Sequence, residues 1–171
     1  ARELLRRGIT PGIVLRGHRR QRARGPLLVA DREGMRAGLD EAGDEATMLA
    51  VTVPGCPVAV GKRRERVIDL LAQAGAQVAL LDDGFQYFRM ARAVDLVLLD
   101  ATVDLHRARL FPAGYLREPL AHLRRATHVM ITHADLAPQA HVQQIVDLAQ
   151  RLAPHAPIMR SRHRPTSLYP L

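Results

Sequence analysis

Val78-Ala79-Leu80-Leu81 runs directly into Asp82-Asp83-Gly84. A continuous apolar run of this length reads as a β-strand covered on both faces. The paired carboxylates then fall at its exit, where the chain must turn at Gly84. The same grammar recurs downstream. Val94 to Leu99 is a second apolar run and ends at Asp100, and Val129-Met130-Ile131 is a third. Upstream, Ile13-Val14-Leu15 and Val58-Ala59-Val60 read as strands, with Leu27-Leu28-Val29 a weaker candidate.

Helical patterns separate these runs. Val67, Ile68, Leu70 and Leu71 make one apolar side of a helix from Arg63 to Ala74, and Gly75 stands at its C-terminal stop. Asp44 is placed to cap a helix through Val51 by accepting free N–H groups of its first turn. Gln139 to Leu152 is a further helix, Ile158-Met159 opens a last strand, and Leu4 and Leu5 lie near the end of a first helix stopped by Gly8. Strands alternating with helices predict an α/β fold, a mostly parallel sheet with flanking helices. Ligands of such sheets bind beyond the carboxyl ends of the strands, where Asp82, Asp83 and Asp100 fall.

Composition narrows the partners. The 171 residues carry 25 Lys+Arg against 17 Asp+Glu, a net charge of +8, and Lys62 is the only lysine. Arginine suits bidentate recognition of phosphate oxygens. Arg19, Arg20, Arg22 and Arg24 form a basic stretch read either as a solvated loop or as a contact for lipid phosphate. Aromatic residues make up only 4% and Trp is absent, which argues against a base-stacking surface and hence against a nucleic-acid partner. Cys56 is the single cysteine, so no internal disulfide forms, and its setting between Gly55 and Pro57 reads as a buried structural thiol. The eight histidines show no metal-ligand spacing; His128 and His133 straddle a strand and read as surface or satisfied side chains.

An apolar strand ending in aspartate is similar to a Walker B element, whose carboxylate serves Mg²⁺ beside nucleotide phosphates. Four segments, that aspartate's included, give the context: Leu15-Arg16-Gly17-His18, Gly43-Asp44-Glu45, Asp82-Asp83-Gly84-Phe85-Gln86 and Leu110-Phe111-Pro112-Ala113-Gly114-Tyr115-Leu116-Arg117-Glu118-Pro119. In this order and spacing they resemble the tetraacyldisaccharide 4′-kinase family, most closely from Gly43 to Pro119.

The resemblance implies a P-loop NTPase-like core, incomplete here, over residues 1–165, with 166–171 opening a linker to a second domain. It implies ATP and Mg²⁺ as cofactors. The implied reaction is phosphorylation of the 4′-hydroxyl of a tetraacyldisaccharide 1-phosphate, a lipid A precursor, at the cytoplasmic face of the inner membrane. It implies Asp44 as general base, Asp82 with Glu45 toward the metal, and Asp83 paired with a histidine of the second domain. Arg64, Arg117 and Glu118 would order the phosphates; the plainer reading of Arg64 is a solvated helix face. The sequence departs from the family pattern at Leu15, His18, Ala46, Tyr87 and His106-Arg107-Ala108. No Gly-rich phosphate loop matches; Gly61-Lys62-Arg63 lacks its glycines and its hydroxyl. The expectation is therefore a fragment that is inactive alone.

Two other readings stay open at this point. Thr132-His133-Ala134-Asp135 faintly matches the segment by which GTPases read guanine, with His in place of lysine. The arginines could instead serve a non-catalytic basic module on anionic surfaces.

Overall fold

The structure is a computed structural model, and it describes residues 1–17, 25–105 and 107–164. The basic stretch Arg19 to Arg24, His18, His106 and the tail from residue 165 lie outside the described residues. The chain clusters into two compact units, Ala1–Gly84 and Phe85–Leu171.

The first unit contains α1 (Arg2–Arg6), β1 (Pro11–Leu15), β2 (Leu27–Ala30), α2 (Leu39–Ala42), α3 (Asp44–Thr52), β3 (Val58–Val60), α4 (Arg64–Gln73) and β4 (Val78–Leu81). Its sheet has the order β2-β3-β1-β4, with β1 parallel to both β3 and β4 and with β2 antiparallel to β3. The central strands β1 and β3 are buried at every position, as continuous Val/Ile/Leu runs require. Val67 and Leu71 of α4 pack on Val14 and Ala59 of one face. Ala46 and Ala50 of α3 join Ile13, Leu15, Val58 and Val60 on the other. Cys56 is buried in that second cluster, and its thiol donates to the Pro11 carbonyl at 3.3 Å. Burial pushes the thiol pKa up, which keeps it protonated and inert.

The second unit holds β5 (Leu96–Asp100), a 3₁₀ helix Leu120–Arg125, β6 (His128–Thr132), α5 (Gln139–Leu152) and β7 (Ile158–Arg160). Its three strands pair in the order β5-β6-β7, all parallel. Val142, Ile145 and Ala149 of α5 cover Val129 and Ile131 of β6. The spacing of these helical residues, three and four apart, is the stripe that an amphipathic helix turns to its sheet.

Three sequence expectations are corrected here. β4 and β5 are not covered on both faces. Val78 is 39% exposed, and Leu96 and Leu98 are 44% and 59% exposed, while Leu99 is buried. Each strand lies at the edge of its own sheet, so apolar sequence alone overstated its cover. Asp44 is not the cap of α3. Gly43 is the N-cap, at φ +87°, and Asp44 opens the helix. A side chain at Gly43 would strain that backbone; the Asp44 carboxylate instead accepts from the Glu45 N–H at 2.9 Å. Finally, Arg64 does not lie on a solvated helix face, since it is only 4% exposed.

Candidate functional site

The carboxyl ends of the parallel strands in the first unit define an edge. The Leu15 carbonyl, at the end of β1, accepts from Gly61 N–H at 3.0 Å just past β3. The preceding carbonyl, of Val14, accepts from Asp82 N–H at 3.1 Å just past β4. Asp82 therefore leaves the sheet beside the exit of β1, and Asp83 follows with φ +50°, a left-handed turn residue. On the β3 side of β1, a shallow cleft is lined by Leu15, Gly17, Gly43, Asp44, Glu45 and Val60. Asp44, Glu45, Asp82 and Asp83 are all solvent-exposed. The sequence thus brings its acids to one sheet edge: Asp44 and Glu45 in the cleft, Asp82 at the neighbouring strand exit.

Arg64 sits below this edge at the start of α4. Its guanidinium donates to the Gly61 carbonyl at 3.1 Å, tying the helix to the turn that leaves β3. A buried arginine must find partners because desolvating its charge is costly, and the backbone carbonyl supplies one.

Two predicted residues belong to the second unit. Arg117 is exposed. Glu118 is nearly buried, and its carboxylate takes both the Arg125 guanidinium and His122 Nδ1, the latter at 2.7 Å. Arg125 is the residue that the motif reading missed. It donates to the Phe85 carbonyl at 3.2 Å and lies over the rings of Phe85 at 4.1 Å and Phe88 at 4.4 Å. Such cation–π contacts strengthen when partly desolvated. The sequence did carry a signal, since Glu118, His122 and Arg125 stand four and then three residues apart. Glu118 is thus a member of a clamp that fixes the segment just after Asp82-Asp83-Gly84.

Asp100 ends β5, and His133 directly follows the paired strand β6. His133 takes φ +53° and stacks on His163 with ring centroids 4.8 Å apart. Its Nδ1 lies 3.2 Å from Asp100 Oδ1 but off a hydrogen-bonding line. The Thr102 N–H and O–H both bond the Asp100 carboxylate and hold its pKa below the usual carboxylate value, with His133 adding to the effect. Among the described residues no group of three or more His, Cys, Asp or Glu could hold a metal.

The family model described as Tetraacyldisaccharide-1-P 4′-kinase matches residues 1–169. The chain belongs to this family. A tetraacyldisaccharide 4′-kinase of Anaeromyxobacter sp. (strain K) is 38% identical over 98% of this chain and 44% of its own length. One of Halothermothrix orenii is 34% identical over 79% of this chain and 36% of its own length. A crystal structure of LpxK from Aquifex aeolicus in complex with ATP superposes with a TM-score of 0.71 at 32% identity, covering 80% of this chain and 42% of that one. The chain thus spans less than half the length of these 4′-kinase relatives, and it shares with the Aquifex structure a mixed α/β fold, its own strands being mostly parallel.

Proposed function

We propose that this chain forms the carboxylate-bearing part of an ATP-dependent lipid kinase that phosphorylates the 4′-hydroxyl of a tetraacyldisaccharide 1-phosphate. The observation that carries the reading is the common edge of the first sheet, with Asp44 and Glu45 in its cleft and Asp82 at the adjoining strand exit. Membership of the 4′-kinase family supports the substrate class, and the ATP complex of the Aquifex relative supports the nucleotide.

Phosphoryl transfer needs positioning and charge neutralisation more than covalent chemistry. Asp44 accepts the proton of the attacking sugar hydroxyl. An exposed carboxylate suffices, because the base takes the proton late. Asp82 and Glu45 would hold Mg²⁺: both are exposed carboxylates, the oxygen donors that a hard ion takes alongside water. Bound there, the ion would neutralise charge on the phosphoryl oxygens. Asp83 holds the turn that aims Asp82, and pairs with a histidine elsewhere in the protein. Arg64 acts from within the first unit through Gly61, and Glu118 from within the second through Arg125, while Arg117 is exposed. The lipid substrate places the working protein at the cytoplasmic face of the inner membrane. Among the described residues no helix is long and apolar enough to cross a membrane.

The test is an assay of ATP-dependent phosphorylation of the disaccharide lipid by the protein expressed in its complete reading frame. Asp44→Asn should lower kcat by about 10²- to 10⁴-fold with the fold intact. An unchanged rate would remove Asp44 as the base, and absence of any lipid phosphorylation would remove the kinase reading.

A further inference from the structure

The loop from Arg107 to Arg117 presents apolar side chains to solvent from a closed backbone. Phe111 N–H donates to the Leu116 carbonyl at 2.9 Å, and Leu116 N–H donates to the Arg109 carbonyl at 3.0 Å. Leu110 and Leu116 form a β-bridge across its neck. Gly114 permits this closure, because a Cβ there would collide with the Arg109 carbonyl. The Tyr115 hydroxyl donates to the Asp104 carbonyl at 3.2 Å. Despite this order, Phe111 is 78% exposed, Tyr115 54% and Leu110 44%. Apolar groups held out together in this way mark an interaction surface.

The residues that flank the tip in sequence are basic. Arg107, Arg109 and Arg117 are exposed. Two acids stand close in sequence. Asp104 lies 3.6 Å from Arg107, and Glu118 is turned inward to Arg125 and His122. An apolar, aromatic loop flanked by exposed arginines matches the boundary of an anionic bilayer, where the rings enter the headgroup region and the guanidiniums stay with lipid phosphate. A preformed loop also loses little freedom on binding.

We infer that Leu110, Phe111 and Tyr115, with Arg107 and Arg109, form a membrane-contacting wedge that seats the protein on anionic lipid. The inference rests on the proposed lipid-kinase function for its setting and names the element that makes the contact. It does not depend on phosphoryl transfer for its readout.

The experiment is sedimentation of this chain with phosphatidylglycerol–phosphatidylcholine vesicles and with phosphatidylcholine vesicles alone. Phe111→Ser should weaken partitioning to the anionic vesicles by roughly tenfold. The Arg107→Gln/Arg109→Gln pair should weaken it several-fold at low salt and converge with the parent at high salt. The chain has no Trp, so Phe111→Trp supplies a single tryptophan whose emission should shift to the blue on adding anionic vesicles. Emission from that variant blind to vesicles, or partitioning unaffected by both sets of substitutions, overturns the wedge. Unchanged partitioning by Phe111→Ser together with a raised KM for the disaccharide lipid, in the complete protein, would also overturn it, by making the loop a substrate contact. Failure of the parent chain to bind any vesicle sinks the wedge while leaving the kinase assay to stand or fall separately.

Discussion

The Arg125 guanidinium lies 4.1 Å from the centre of the Phe85 ring and also bonds the Phe85 carbonyl. One side chain thus grips both the ring and the backbone of the residue that follows Asp82-Asp83-Gly84. Glu118 holds that side chain from behind. Removing Arg125 leaves the nearly buried Glu118 carboxylate with His122 alone beside it, and an under-compensated charge costs more than the ion pair itself contributes. Arg125→Ala should therefore destabilise the chain by about 2–4 kcal/mol, read from denaturant midpoints. Arg125→Lys should recover only part, because lysine cannot stack flat on the ring or bond in a fork. Equal stability of the Ala and Lys variants would show that the planar group is irrelevant.

Arg64 offers a contrasting case. Its side chain is buried and bonded to the Gly61 carbonyl, so its loss should be felt in folding before it is felt in chemistry. Arg64→Ala should cost roughly 1–3 kcal/mol by chemical denaturation. A stable variant with a lower affinity for ATP would reverse the order and make Arg64 a direct phosphate contact.

The metal assignment predicts a shift in magnesium dependence. Asp82→Asn in the complete protein should raise the magnesium concentration giving half-maximal rate, since a neutral amide is a poorer ligand for a hard cation. Asp83→Asn should change that concentration less. The measurement is initial rate against free Mg²⁺ at saturating ATP. Superimposable curves for the parent and Asp82→Asn would remove Asp82 from the metal.

Much of this architecture is legible in the sequence. The α4 and α5 helices and the strands β1, β3 and β6 follow from periodicity, because burial of Val67, Leu71, Val142 and Ile145 dictates their spacing. The cover of β4 and β5 is not legible, since a run such as Leu96-Val97-Leu98-Leu99 is written alike whether one face or two are packed. Asp82 is legible from its position after an apolar run, whereas position alone made Asp44 a helix cap, and only the family resemblance drew Asp44 and Glu45 into the site. The Glu118–Arg125 pairing is harder to find, because an arginine beside another arginine, here Arg124, looks like solvated charge until its partner is located.

The exposure pattern of β5 can be checked directly. Leu98 is 59% exposed and Leu99 6%. Leu98→Lys in this chain should stay within about 0.5 kcal/mol of the parent. Leu99→Lys should prevent folding, because an unpaired charge would enter the core. Thermal or denaturant melts distinguish the two, and similar penalties at both positions would mean that β5 is packed on both faces.

Asp100 predicts a pH effect of known sign. The Thr102 bonds lower its folded-state pKa, so its contribution to stability is present above the unfolded carboxylate pKa of about 4. That contribution is lost as the pH falls through the lower folded value. Asp100→Asn should therefore be less stable than the parent at neutral pH and should converge with it in acid. Denaturation midpoints from neutral to acid pH would show this, and a gap that stays constant with pH would contradict it.

Parallel pairing throughout the second unit has a kinetic consequence. Among the described residues no strand there meets its neighbour through a tight hairpin: β5 cannot dock on β6 until the long connection between Asp100 and His128 has closed, and β7 must wait for α5. Contacts so remote along the chain tie its assembly to loop closure, and they make it slow relative to a helical bundle of similar size. The 3₁₀ turn that carries Arg125 lies inside that first connection, so its grip on Phe85 is a candidate for an early event that shortens the search.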